Sequence, residues 1–365
     1  MTEPSAPGAV PAPGSVDTPR SAFRVRPYDE ADRPSWDAYV AAHPRATFFH
    51  QIGWKNVLDS AFGYPAHYFV AERDGTMCGV LPLYACRSIK GKLALYSLPH
   101  TVYGGPVGDD AEVETALVET ARNLGSELRT RLIELRNRHE SLVDMPALEG
   151  FATFEKELPA EVEKVYKTFP KKAREAINQS RKRWHLEADF SGDVDSFYEL
   201  LAASYHSLGT PVFPKRFFAA LVENFPEHTS ILNVLHEGKP VATVLSTLFR
   251  DTMMPLYSGE IAGAGRLKAG NFKYFRLMEH AVERGLRRYD FGRTRLNNEG
   301  VVKFKLNQGF DVTPLPYQAE GAENAGGVGG SDPNQGLFQK ARRVWRKLPR
   351  SVARGVGPRL IRYFP

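Results

Sequence analysis

Three stretches of the chain concentrate side chains that can move protons or hold anions. In 289-YDFGRTRLNNEGVVKFKLNQGFDVTPLPY-317, Asp290 and Arg293 flank a tight Phe291-Gly292 step. A carboxylate there can take the proton of an amine, and a guanidinium can grip a carboxylate or phosphate through two hydrogen bonds. The same two groups can instead pair internally and frame the turn. Lys305 follows, beside Lys303 and the aromatic Phe304. In the loop 262-AGAGRLKAGNFKYF-275, Gly263, Gly265 and Gly270 stand among Arg266, Lys268 and Asn271. Glycines admit close backbone approach, a helix N-terminus offers free N–H groups, and the cations add charge, so this loop can cradle a phosphate. It also reads as an ordinary glycine-rich turn before a helix.

Further candidates are scattered. Tyr257 ends an apolar strand, from which its phenol can donate to a leaving group or simply fill a core. The run 100-HTVYGGP-106 sets His100 and Tyr103 beside Gly104 and Gly105. Its imidazole titrates near neutrality and can act as a base, although a lone histidine at a turn is more often structural. The segment 160–184 holds Lys167, Lys171, Lys172, Arg174, Arg181, Lys182 and Arg183 against Glu175. Laid across a cleft, Arg174 and Arg181 would attract phosphate, pyrophosphate or an anionic sugar; the default for such a run is a solvated face. Cys78 and Cys86 read as small core residues, so no metal site is expected.

These residues need a scaffold, and an internal repeat outlines it. Leu58 and Leu221, Phe62 and Phe225, and Gly75 and Gly238 share one offset of 163 residues. Each half reads as an aromatic-rich helix, a strand, a charged-Gly turn, two more strands, a helix, and a strand bearing an arginine, Arg136 or Arg293. The expected fold is mixed α+β: two tandem domains, 23–148 and 149–318, each a mostly antiparallel sheet with flanking helices. Residues 1–22 are too poor in apolar groups to offset ordering entropy and are expected to be disordered. They also lack the basic and apolar regions of a secretory signal. Residues 319–335 are expected to be a flexible linker, and 336–365 a basic amphipathic tail.

The formal charge of +6 is unevenly spread. Lys340, Arg342, Arg343, Arg346, Lys347, Arg350, Arg354, Arg359 and Arg362 give the last thirty residues +9 with no acid, so residues 1–335 carry −3. A broadly basic nucleic-acid binder is thereby disfavoured. Leu337, Phe338, Ala341, Val344, Trp345 and Leu348 recur at helical spacing opposite the arginines. Such a segment suits an anionic membrane surface, packing onto the acidic body, or RNA, in that order of expectation.

The element order resembles that of GNAT-type acyltransferase domains, and two in tandem resemble the FemAB family of aminoacyl ligases. The stretch 289–317, with 48-FFHQIGWKNVL-58, 99-PHTVYGGPVGD-109, 171-KKAREAINQSRK-182 and 345-WRKLPRSVARGVGPRLIR-362, is similar to FemAB-related, BioF2-like proteins of exosortase (PEP-CTERM) exopolysaccharide loci. Gln51 and Trp54 match the Gln-x-x-Trp of the Fem first domain, where the resemblance implies substrate binding. Val57 and Leu58 stand where Fem ligases carry a phosphate-binding lysine. Lys305 matches the lysine of the Fem Phe-Lys pair, which implies a cation where negative charge develops on the reacting carbonyl. Acyl transfer to an amine on an envelope or exopolysaccharide precursor is implied, with acyl-CoA or aminoacyl-tRNA as donor. Transfer RNA would then enter only as acyl carrier. The implied place of work is the cytoplasm or the inner face of its membrane. A non-catalytic partner of the same fold, recruiting polysaccharide or exosortase machinery to that surface, is the competing expectation.

Overall fold

The computed structural model describes residues 22–321 and 336–365. The expected disorder of 1–21 and the linker over 322–335 lie outside the described residues. The first half holds β1 (Phe23–Pro27), α1 (Arg33–Ala42), α2 (Gly53–Phe62), β2 (Phe69–Arg73), β3 (Thr76–Leu81), β4 (Tyr84–Arg87) and β5 (Leu93–Tyr96). It continues with β6 (Val107–Gly108), α3 (Ala111–Glu127) and β7 (Ile133–Leu135). The second half opens with β8 (Phe151–Glu157), α4 (Val162–Val165), α5 (Lys171–Lys182), β9 (Glu187–Asp189), α6 (Val194–Leu208) and α7 (Lys215–Asn224). Then come β10 (Thr229–His236), β11 (Lys239–Phe249), β12 (Thr252–Glu260), α8 (Ala269–Glu283), β13 (Arg288–Asp290) and β14 (Thr294–Arg295). The chain proceeds through α9 (Glu299–Asn307), β15 (Asp311–Pro314), β16 (Gln318–Glu320), α10 (Gly336–Lys347) and α11 (Arg350–Ile361).

Local chemistry explains many of these boundaries. Asp110 caps α3 by accepting from Val113 N at 3.0 Å, and Asp193 caps α6 by accepting from Ser196 N at 2.7 Å. Gly63 at φ 61° and Gly209 at φ 75° end α2 and α6 in the left-handed conformation. The repeated hairpins turn alike. Asp74-Gly75 and Glu237-Gly238 all have positive φ, the requirement of a tight hairpin whose twist matches its strands. Pro170 sits at the N-cap of α5 and breaks the helical run that precedes it.

The sheets are mixed and mostly antiparallel. One four-stranded sheet runs β1-β2-β3-β6, and a second runs β16-β7-β5-β4. The large sheet runs β14-β8-β13-β12-β11-β10-β9, with β15 also on β8. One strand crosses between the halves. β8 opens the second half and pairs antiparallel with its β13, whereas β16 returns from the second half to pair with β7 of the first. Residues 319 and 320, read from sequence as linker, therefore belong to a strand.

One apolar cluster also spans the halves. α2 packs on α7, its counterpart in the repeat, and Trp54 lies within 6.1–6.3 Å of the Phe217 and Phe225 rings, centroid to centroid. The helices approach so closely at Gly53 that a Cβ there would fall 2.6 Å from the Phe225 ring.

The tail forms α10 and α11 on α6. Trp345, Ala353 and Ile361 are buried against the body. Arg342 Nε donates to Leu208 O at 3.0 Å, and Arg354 grips Glu199 at 2.5 and 2.8 Å. Packing thus takes Trp345, Ala353 and Ile361, while Val344, Val352 and Val356 stay exposed. Among the described residues no helix is long and apolar enough to cross a membrane.

Candidate active site

The central feature is where two parallel strands part. β12 and β13 pair only at Thr252 with Arg288 and Met253 with Tyr289. β12 then runs on to Glu260 with a bulge near Leu256, where its register against β11 shifts. β13 ends at Asp290 and turns away through Gly292, at φ 64°. A bulge bends the strand and sharpens its twist, so the two strands diverge. The first-half loop 98–106 reaches this opening: Val102 lies 3.2 Å from where a Gly292 Cβ would stand, beside Met254. Tyr257 Oη donates to His100 O at 3.2 Å. Three sequence-distant candidate runs therefore meet at one place.

Asp290 is the polar hub. Oδ2 accepts from Tyr103 Oη at 2.9 Å, while Oδ1 accepts from Gly292 N at 2.7 Å and from Thr153 Oγ1. Arg138 Nε stands 3.9 Å away and pairs with Glu155 at 2.5 Å through Nη2. Burial pushes the Asp290 carboxyl above its ordinary range, opposed by the Thr153 hydrogen bond and the Arg138 charge. A cavity of about 270 Å³ opens between the halves, walled by Phe49, Tyr103 and Arg138 on one side and by Glu155, Arg288 and Asp290 on the other.

Lys305 occupies the opposite face of the same sheet. Successive residues of β8 point to alternate faces, so Thr153 and Glu155 face the first half while Phe154 and Lys156 face α8 and α9. Lys305 Nζ lies over the Phe154 and Phe291 rings, 5.1 and 4.7 Å from their centroids, and donates to Thr294 Oγ1 at 2.5 Å. It is 7% exposed, and burial pushes its ammonium down to about 8, with Asp290 pulling it back up. Lys156 holds the end of that helix by donating to Gln308 O at 2.7 Å.

The glycine-rich loop comes to this face. Lys268, at φ 60°, is the N-cap of α8 and gives no side-chain cap. The Phe304 ring and the Glu260 carboxylate flank Gly270, 3.8 and 3.3 Å from where its Cβ would be. Lys273, buried, pairs with Glu260 at 2.9 Å. Arg266 is exposed, and Lys268 and Asn271 are half-buried at the same helix end. An uncapped helix start between two cations fits a phosphate of a carried acyl group.

Other sequence candidates have structural duties. Trp54 is wholly buried between α2 and α7, out of reach of a substrate. Gln51 Nε2 donates to Phe48 O at 3.3 Å. The His100 imidazole stacks 4.4 Å from the Phe62 ring and bonds Tyr64 Oη at 2.9 Å. Burial, with Arg136 and Arg293 nearby, pushes it down to about 3, which leaves no base near neutrality. Tyr257 is packed among Phe213, Phe217 and Phe218, so its role is in the core. A Cβ on Gly104 would come within 2.9 Å of Ser97 O, so this glycine serves the chain's own close approach. Arg174 and Arg181 lie on α5, which packs on α8 inside the second half, and neither lines the inter-half cavity. Arg293 does point inward: its Nη1 is buried with no hydrogen-bond partner among the described residues.

Arg138, Thr153 and Glu155 escaped sequence reading because they lie on the join between the halves. The alternation in 151-FATFEKE-157 was the available signal.

Residues 164–305 match a family model described as an acetyltransferase (GNAT) domain, ending on Lys305. The crystal structure of FemX superposes with a TM-score of 0.63 at 14% identity, covering 85% of this chain and 98% of FemX. The chain has the FemX fold. A conserved protein of unknown function from Bacteroides thetaiotaomicron VPI-5482 shares it, with a TM-score of 0.53 at 14% identity over 82% of this chain and 99% of that one. So does the C-terminal DUF2156 domain described as belonging to a lysylphosphatidylglycerol synthetase of Agrobacterium fabrum, at 12% identity and a TM-score of 0.53 over 81% and 93%. No curated protein matches the chain.

Proposed function

We propose that the protein is an N-acyltransferase that moves an acyl or aminoacyl group to an amine of a cell-envelope or exopolysaccharide precursor. The observation that carries this reading is Lys305, a buried cation held over Phe291 and against Thr294, just past the end of β13 and at the end of the GNAT-matched segment. In such an apolar setting a fixed ammonium stabilises the oxyanion of a tetrahedral intermediate far better than water does. The donor, acyl-CoA or aminoacyl-tRNA, sits on the α8 face with its phosphates at Arg266, Lys268 and the Gly270 backbone. The amine enters from the cavity, where Glu155 and Asp290 attract it, and Asp290 receives its proton once Tyr103 yields the hydrogen bond. The Agrobacterium neighbour, described as acting in lysylphosphatidylglycerol synthesis, lends the same direction to the reading: acyl transfer to an envelope component.

The test is transfer of radiolabelled acyl groups from acetyl-CoA or aminoacyl-tRNA to a panel of amino sugars and aminolipids, with wild type and Lys305→Met. Loss of product with a melting temperature no lower than wild type supports the reading; equal output from the variant overturns it. A second reading, a non-catalytic scaffold of the same fold, is favoured by the fact that both Asp290 oxygens are already hydrogen-bonded. It predicts no product from any donor and no change with Lys305→Met in recruitment of polysaccharide or exosortase components.

A further inference from the structure

We infer that the protein carries a docking face for an anionic lipid bilayer, made jointly by the end of α11 and the tip of the β4–β5 hairpin. The sequence directs attention to the tail alone; the fold adds a second element. A cavity of about 460 Å³ is walled by Arg87 and Leu93, the two ends of the hairpin tip, together with Arg362 and Tyr363 of the tail. Tyr64 Oη fixes this junction by donating to Arg362 O at 2.7 Å.

The tip itself reads Ser88-Ile89-Lys90-Gly91-Lys92, and Ile89 is 62% exposed, followed by the exposed Lys90 and Lys92. The neighbouring turn contributes exposed Arg129 and Arg131, and Arg131 N donates to Leu93 O at 2.9 Å. On α11, Val352, Val356 and Arg359 follow at i, i+4 and i+7, one exposed stripe leading to the same junction. Residues 87–92, 129–131 and 359–363 contain no acid, and Glu127 flanks them. Single aliphatic side chains set among cations suit a headgroup boundary: the cations meet lipid phosphates and the aliphatics enter the acyl edge. Trp345, Ala353 and Ile361 of the tail are spent on the body, so binding is electrostatic with shallow insertion and falls steeply with salt.

Flotation of the full chain with phosphatidylcholine vesicles, with and without phosphatidylglycerol, tests the inference. The protein should float only with the anionic vesicles and be released by salt. Lys90→Glu with Lys92→Glu and Arg131→Glu should lower partitioning about 100-fold. Ile89→Ser and, separately, Arg359→Glu should each lower it several-fold. All three are surface changes expected to leave the melting curve and acyl transfer to a soluble amine unaltered, which separates this outcome from a failure of the transferase reading. Equal partitioning of the triple variant, equal flotation with neutral vesicles, or retention on structured RNA without flotation would each overturn the inference.

Discussion

Lys305 shows how a single buried group links chemistry to stability. Its ammonium is the disfavoured form in the fold, with a pKa near 8 against 10.5 for a solvated lysine. Between those values the unfolded chain binds the extra proton, so stability rises as pH increases from about 8 toward 10. Lys156, likewise pushed down to about 8, adds to the rise. Urea midpoints at pH 7.5 and 9.5 should differ for wild type, and Lys305→Met should shrink that difference by roughly 1–2 kcal/mol. Activity has the opposite slope: the cation is lost above about pH 8, so kcat should fall there. Lys305→Arg should move that limb beyond pH 9.5, and Lys305→Met should lower kcat about 10²–10³-fold at pH 7. Tyr103 is the second residue to test. Tyr103→Phe removes a donor to a buried carboxylate, and denaturation should register a loss of about 1.5–3 kcal/mol. A loss under about 0.5 kcal/mol would mean that Asp290 is held by Thr153 and Gly292 alone.

Among the elements, α2 and α7 form the seam. Their approach depends on Gly53, where any Cβ meets the Phe225 ring, and on Trp54, which fills the space between them. Trp54→Ala should cost about 3–5 kcal/mol, and Gly53→Ala about 1–3 kcal/mol as Phe225 is displaced. Calorimetry should show Trp54→Ala lowering one melting transition rather than splitting off a stable half. Two separate transitions would deny the shared core. Helix α9 matters differently. Its C-terminal end is held through Lys156 and its Phe304 flanks the start of α8, so both contacts fix the turn that carries Lys305.

At the scale of the molecule, the crossing of β16 and the reach of loop 98–106 make the halves interdependent. The first half alone lacks β16 beside β7, and the second alone lacks loop 98–106 over the β12–β13 opening. A fragment spanning 22–148 should therefore lack near-ultraviolet ellipticity while keeping helical signal; a native-like spectrum would contradict this. The same interdependence explains the cavity, whose walls come from both halves. The charge asymmetry gains a new location as well. The +9 tail does not stand alone, because Arg362 and Tyr363 at its end wall one cavity with Arg87 and Leu93 of the first half.

The sequence alone carried the repeat, the element order, the Asp-Gly and Glu-Gly hairpin turns, and the candidacy of Lys305 and Asp290. Those signals are local, since periodicity, turn chemistry and capping act over a few residues and leave marks at fixed spacing. Only the tertiary structure decided which candidates share a face. It put Lys305 and Asp290 on opposite sides of one sheet, tied the His100 imidazole to Tyr64, buried Trp54 and brought Arg138 and Glu155 to the hub. It also turned Trp345, Ala353 and Ile361 of the tail inward. These outcomes depend on strand pairing across more than a hundred residues, as between Glu134 and Ala319, and on close packing at Gly53. Long-range pairing leaves no spacing in the sequence, so its consequences appear only once the chain is folded.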